Sequence, residues 1–261
     1  MVVKRNNRVG QERFNNQGSL MKIVEDKSSQ EIVVEFQDKY KYRICTNYGN
    51  FLKGEVKNLY YPYVFDIGMI GNKYPSRING VKTKEYKTWV AMLDRCTNQK
   101  LKEKELTYQN VTCCEEWLLY ENFYEWLHSQ ENFKQWFNGD KWALDKDILL
   151  KGNKIYSPNV CCLVPQNINN LFLKRESVRG DLPIGVYKHK KWNGYYAACK
   201  NPLTNKKDYL GGHNTPEKAF ETYKQHKEKL IKQIAQIEHD KGNITKRCYE
   251  AMIKYEVEIT D

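Results

Sequence analysis

Apolar and polar positions alternate with a period of two early in the chain, and the pattern predicts strands. Met21–Glu25, a polar turn over Asp26–Gln30 and Glu31–Phe36 read as a β-hairpin. Tyr40–Cys45 and Phe51–Val56 read as further strands. Lys57–Tyr63 is basic and aromatic without a helical period, and Gly71, Pro75 and Gly80 mark a loop. The period then changes. Tyr86, Trp89, Val90, Met92, Leu93 and Cys96 fall on one face of a helix. Lys100–Glu105 reads as a charged loop or helix end, and Val111–Cys114 as a short strand. Glu115–Leu127 reads as a helix interrupted near Glu121 and Asn122.

Further on, Trp142–Leu150 predicts a strand, Gly152 and Asn153 a turn, and Asn159–Pro165 a second strand. Gln166–Lys174 starts a helix with Ile168, Leu171 and Phe172 on one face. A charged linker over residues 174–183 suggests a domain boundary. Val186–Lys191, Tyr195–Lys200 and Lys207–Gly211 read as three short strands, with Asn193–Gly194 as a tight hairpin turn. Thr215 caps a helix with Pro216 at its first position, and Gly242–Asn243 stops it. Lys246–Lys254 predicts one more short helix. The expected fold class is α+β in three modules: a small β-rich module over 1–75, a central domain over 76–176, and a sheet-plus-helix module with its tail over 182–261.

Charge narrows the partners. The 261 residues carry a formal net charge of +11, and the excess is greater in the two ends than in the centre. Basic surface favours a polyanion, because each neutralised phosphate releases counterions. No apolar stretch is long enough to span a bilayer, so no membrane partner is expected. The start, Met1–Arg8, lacks the apolar core of a signal peptide. The eight cysteines include the adjacent pairs Cys113–Cys114 and Cys161–Cys162 but no metal-ligand spacing, and they read as buried thiols of a reducing compartment, the cytoplasm. A zinc site assembled in space from Cys96, Cys114 and Cys161 is a minor alternative.

Within Gly185–Tyr209, Lys188, Lys190, Lys191, Lys200, Lys206 and Lys207 meet a single acid, Asp208. Alternation lets one sheet face cover the apolar stripe of the following helix and the other show Lys, Tyr and Trp to solvent. Val186 is expected toward the helix and Tyr187 away from it, with Tyr196, Ala198 and Lys200 sharing a face. Trp192, Tyr195 and Tyr196 would touch sugars and bases while the lysines set the register on phosphates. The run Ile184–Tyr187, Gly194–Ala198, Tyr209–His213 and Thr215–Tyr223 resembles the AP2/ERF DNA-binding domain. The resemblance implies double-stranded DNA as the ligand. His213 stands where that family usually has Phe, and arginines are fewer than in plant members.

The unit 142–174 contains Asp145, Lys146 and Asp147 on its first strand and Asn167 and Asn169 on its helix. A carboxylate at a strand end and an amide on the next helix make a plausible pair of ligands for Mg2+ or Mn2+, and phosphodiester hydrolysis also needs a base. Asp145, Asn153, Ser157–Asn159, Leu163–Pro165 and Asn169 resemble the ββα-metal unit of homing-type HNH endonucleases. With Trp89, Met92–Leu93, Arg95–Cys96 and Val111–Trp117, the block is similar to phage-type proteins that join such a unit to an AP2-like tail. The resemblance implies Asp145 and Asn169 as metal ligands and Asp145, Lys146, Asp147 and Asn169 as catalytic residues. The family's histidine falls on Lys146, whose ordinary pKa of about 10.4 makes a poor base at neutral pH; Asp147 and His128 are the substitutes. Two readings therefore stand: a metal-dependent DNA endonuclease, and a DNA-binding regulator or an inhibitor of a host protein that does not cut. His189 and His213 flank the strands, His226 and His239 read as solvated, and Lys224, Lys227, Lys229 and Lys232 read as a solvated helix face. The tryptophans at 89, 117, 126, 136 and 142 read as core.

Overall fold

The computed structural model describes residues 7–104, 108–173, 181–259 and 261. Most of the expected linker over 174–183, including Lys174, and Glu105 at the end of the expected charged segment lie outside the described residues. The fold is mixed α+β, built from several small sheets and their helices. It groups into two compact units: residues 1–106 with 113–125, and residues 107–112 with 126–261. Among the described residues no helix is long and apolar enough to cross a membrane.

The first unit opens with an antiparallel meander of β1 (Glu12–Phe14), β2 (Leu20–Ser28), β3 (Glu31–Phe36) and β4 (Arg43–Thr46). The alternation read from the sequence is the register: Met21, Ile23, Ile32, Val34 and Phe36 bury one face. The strand expected over Phe51–Val56 is instead helix α1 (Tyr48–Lys53). Asn47 accepts a bond from the Asn50 amide, and Gly54 closes the helix in the left-handed region at φ 70°. Phe51 and Val56 still reach the same core. The expected loop around Gly80 contains a hairpin of β5 (Arg77–Ile78) and β6 (Val81–Lys82). Thr83 then caps α2 (Lys84–Thr97), followed by α3 (Gln99–Lys104). Trp89 Nε1 donates to the Trp117 carbonyl at 2.7 Å in a buried aromatic cluster with Tyr86 and Tyr120.

After β7 (Thr112–Cys113), the predicted interrupted helix is a 3-10 turn over Glu115–Leu118 and then α4 (Tyr120–His128), so the break falls at Leu119. No sequence pattern announces helix α5 (Phe133–Asn138). In the second unit β8 (Trp142–Asp145) stops at Asp145, shorter than the strand expected to Leu150. The Asp145 carboxylate accepts bonds from the next turn's amides, which turns the chain. A short β9 (Ile155–Tyr156) precedes β10 (Cys162–Pro165), which pairs antiparallel with β8. Helix α6 (Gln166–Asn169) runs into a 3-10 turn over Asn170–Phe172.

Strands β11 (Val186–Lys188), β12 (Tyr195–Asn201) and β13 (Lys206–His213) form one antiparallel sheet backed by α7 (Pro216–Asp240), and α8 (Lys246–Ile253) follows. The second unit has one core where a domain boundary was expected: Ile148, Val164, Ile168 and Leu171 join Val186, Ala197, Ala219 and Ile231. The apolar face of Gln166–Phe172 is too small to bury alone and shares the core of the next module.

Candidate nucleic-acid interface

Cross-strand pairs decide which side chains share a face of the C-terminal sheet. Val186 opposes Ala197, and both lie in the core shared with α7. Tyr187 opposes Tyr196, and Ala198 opposes Tyr209, on the outer face. Lys200 opposes Lys207 there as well. The Tyr187 and Tyr196 rings stack at 5.2 Å, Tyr209 lies 5.7 Å from Tyr196, and Lys207 Nζ sits 3.6 Å over the Tyr187 ring. Tyr209 is 64% exposed, and no sequence signal singles it out. Its place follows from the unbroken pairing of β12 with Lys206–Tyr209, which sets it beside Lys207 on one face; the bulge between Tyr196 and Ala198 comes after it.

Trp192 completes this face. The expected two-residue turn at Asn193–Gly194 is a six-residue loop, because β11 ends at Lys188 and β12 begins at Tyr195. The Trp192 ring folds over Gly194 and Gly212, where any side chain at either glycine would strike it. His189 Nδ1 accepts the Lys191 amide at 3.1 Å, and its ring lies 5.3 Å from Trp192. Lys190 and Lys191 are exposed in the same loop.

Three expected contacts sit elsewhere. Lys188 and Tyr195 oppose each other two residues along from Val186 and Ala197, so both share the helix-facing side, and Tyr195 packs on the core. Lys206 has the parity of Asp208, whose carboxylate meets His226 Nε2 of α7 at 3.1 Å. Lys188 and Lys206 are exposed at the margins of the helix-facing side. His213 opposes Tyr195 there, with Nε2 buried and unpartnered among the described residues, so it fills the place of an apolar side chain. His226 is thus paired rather than simply solvated. Lys224 donates to the Val257 carbonyl, and Lys227 is 8% exposed, which corrects the reading of both as solvated.

The strand–loop–strand centre is knit by its own residues. Asp145 is 8% exposed and its Oδ1 accepts the Asp147 and Ile148 amides at 2.8 and 2.7 Å. Burial pushes its carboxyl above the ordinary value, against the downward pull of those amides. Lys146 is buried; its Nζ meets Asp147 Oδ2 at 2.6 Å and donates to the Asn153 carbonyl at 2.9 Å. The Asn153 amide returns a bond to the Lys146 carbonyl at 2.8 Å. Asn169 is half-buried, and its side chain makes no hydrogen bond to a described residue. This set fits a divalent ion poorly. One carboxylate is spent on backbone amides and the other is paired with the Lys146 ammonium. His128 is exposed and packs on Phe133 at 3.9 Å.

Among the described residues no three His, Cys, Asp or Glu side chains come together as a metal set, and the eight cysteines are free thiols. Cys96 and Cys114 belong to the first unit and Cys161 to the second. A cavity of about 310 Å³ in the first unit is lined by Asp38, Asn58 and Tyr60 among others; the Asn58 amide donates to Asp38 Oδ2 at 2.7 Å, so its central polar groups already serve each other. Comparison with family models, curated proteins and solved structures found no match.

Proposed function

We propose that the chain binds double-stranded DNA with the outer face of β11–β13 and acts as a DNA-binding regulator, without hydrolysing DNA at the 142–169 centre. One observation carries the reading. Tyr187, Trp192, Tyr196, Lys200, Lys207 and Tyr209 gather on that face, while the one acid of the three strands, Asp208, lies on the other. Lysines supply phosphate contacts, and the rings supply flat apolar area for sugars and thymine methyls. A sheet of this width suits the major groove. The AP2/ERF resemblance gives the same ligand. Against cleavage stands the use of Asp145, Lys146 and Asp147 in holding their own loop.

The test is fluorescence anisotropy with a labelled duplex over a salt series, beside plasmid incubation with Mg2+ or Mn2+. Binding should weaken steeply with salt, and Lys200→Glu with Lys207→Glu should weaken it further at every salt concentration. Affinity indifferent to both would sink the proposal. Plasmid nicking that Asp145→Ala abolishes would reinstate a metal-dependent endonuclease.

A further inference from the structure

The hairpin of β5 and β6 in the first unit has no part in the sheet interface proposed for the second. It pairs Arg77 with Lys82 and Ile78 with Val81 across Asn79–Gly80. Asn79 and Gly80 both take positive φ, 49° and 78°. A two-residue turn with that geometry follows the twist of its strands and makes a stiff ribbon end. All six residues are exposed, Ile78 and Val81 by 59% and 64%.

Opposed residues share a face and neighbours alternate. The ribbon therefore carries an aliphatic pair on one face and a cationic pair on the other. Arg77 donates to the Gly80 carbonyl at 2.7 Å, and Lys82 Nζ lies 5.9 Å from the Tyr86 ring. Neither cation meets a carboxylate among the described residues. An aliphatic pair left in water gains by burial, and two unpaired cations beside it ask for an anionic partner. In a chain of net charge +11, a nucleic-acid duplex meets both demands. Its groove admits a two-stranded ribbon, its phosphates flank the groove, and its base edges or steps accept apolar side chains. Two aliphatic side chains are too little area to hold a protein or a lipid surface by themselves.

We propose that Arg77–Lys82 is a groove finger: Arg77 and Lys82 neutralise phosphates while Ile78 and Val81 pack against bases. The inference rests on the DNA-binding reading but uses a different part of the chain, so the two can fail separately.

The experiment uses the full chain, a fluorescein-labelled duplex and a salt series. Ile78→Ser with Val81→Ser should weaken binding roughly tenfold, the scale of one aliphatic side chain left unburied, with the salt slope unchanged. Arg77→Gln with Lys82→Gln should reduce the slope of log affinity on log salt by up to about 2. Circular dichroism should match wild type in both, since all four side chains are exposed. Lys200→Gln with Lys207→Gln reports the C-terminal sheet. If that variant weakens binding and both finger variants match wild type, the finger is wrong and the sheet reading stands. If only the finger variants weaken binding, the finger stands and the sheet reading falls. A wild-type chain that ignores the duplex overturns both. Loss of co-sedimentation with phosphatidylserine vesicles on Ile78→Ser with Val81→Ser, with DNA binding intact, would overturn the finger and reassign the hairpin to a lipid surface.

Discussion

Lys146 and Asn153 hold each other across a loop: Lys146 Nζ donates to the Asn153 carbonyl at 2.9 Å, and the Asn153 amide donates to the Lys146 carbonyl at 2.8 Å. Asn153 also donates to the Ile155 carbonyl. This reciprocity gives the residue at the expected histidine position a structural occupation. Lys146→Ala leaves a carbonyl without its donor and Asp147 without its counter-ion. It should cost about 1–3 kcal/mol in urea unfolding, and Asn153→Ala a similar amount. If Lys146→Ala unfolds like wild type, the tie is dispensable and the lysine is free for chemistry.

Asp145 gives the complementary test through pH. Burial raises its carboxyl above the ordinary value of about 3.9. Below the ordinary value both folded and unfolded states hold the proton and there is no penalty. As pH rises through the ordinary value toward the folded one, the unfolded state releases its proton first, so stability is lost and stays lost above. Asp145→Asn keeps an oxygen for the Asp147 and Ile148 amides without the buried charge. It should therefore equal or exceed wild type in urea midpoint at neutral pH, with the advantage gone near pH 4. Asp145→Ala, which leaves both amides unserved, should lose about 1–2 kcal/mol at either pH. A neutral-pH loss for Asp145→Asn as large as for the alanine would contradict this assignment.

Much of the fold was legible because it rests on local signals. Alternation at Met21–Phe36 set the hairpin and its buried face, and Thr215 with Pro216 set the start of α7. The failures share a cause. Phe51–Val56 carries apolar residues that suit either a strand or a helix, and the decision lies in the Asn47 cap and Gly54 stop. Asn193–Gly194 reads as a tight turn, but the Trp192 ring lies against Gly194 and the loop is longer. Asn79–Gly80 does make the two-residue turn, yet its strands of two residues each are too short to show an alternation. At the C-terminal face, simple alternation places Tyr187, Tyr196 and Lys200 outward and Tyr195 behind, although Tyr195 and Tyr196 are both expected on DNA; that Tyr209 joins the outer face depends on its pairing with Ala198.

Glu121 supports a loop of the first unit that no motif announced. Its buried carboxylate accepts the Asn72 and Lys73 amides at 2.6 and 2.7 Å, and Tyr60 donates to it at 3.1 Å. Gly71 sits against that carboxylate at φ 73°, where an added Cβ would overlap it. Gly71→Ala combines an unfavourable backbone region with that overlap and should cost at least about 1–3 kcal/mol. Glu121→Gln keeps an acceptor and should cost less than Glu121→Ala, which strands two amides. Equal midpoints for the glutamine and alanine variants in thermal unfolding would count against this hold on the loop.

Lys227 is a buried ammonium on α7, and burial pulls its pKa below the ordinary value. Below the folded pKa both states are charged and the full penalty applies. As pH rises from the folded pKa toward the ordinary value of about 10.4, the folded state sheds its proton first and the penalty is relieved. Lys227→Met should raise the melting temperature at pH 7, and the gain should shrink as pH approaches 10. A gain that is flat with pH would point to packing alone.

The two sides of the C-terminal sheet can be told apart by their lysines. Lys200 and Lys207 oppose each other on the outer face, whereas Lys188 and Lys206 have the parity of the helix-facing side. All four are exposed, so any of them can be changed to Gln without disturbing the core. If total charge alone attracts DNA, the two pairs are equivalent. If the outer face docks, they are not. Replacing Lys200 and Lys207 should then lower the salt slope by about 1 for each phosphate no longer neutralised, and replacing Lys188 and Lys206 should leave it near wild type. Tyr209→Ala should weaken binding by about 1 kcal/mol, a few-fold in affinity, with the slope unchanged, because it removes apolar area and no charge. Equal slopes for the two lysine pairs would mean that charge is read without orientation, and the outer face would lose its claim to be the interface.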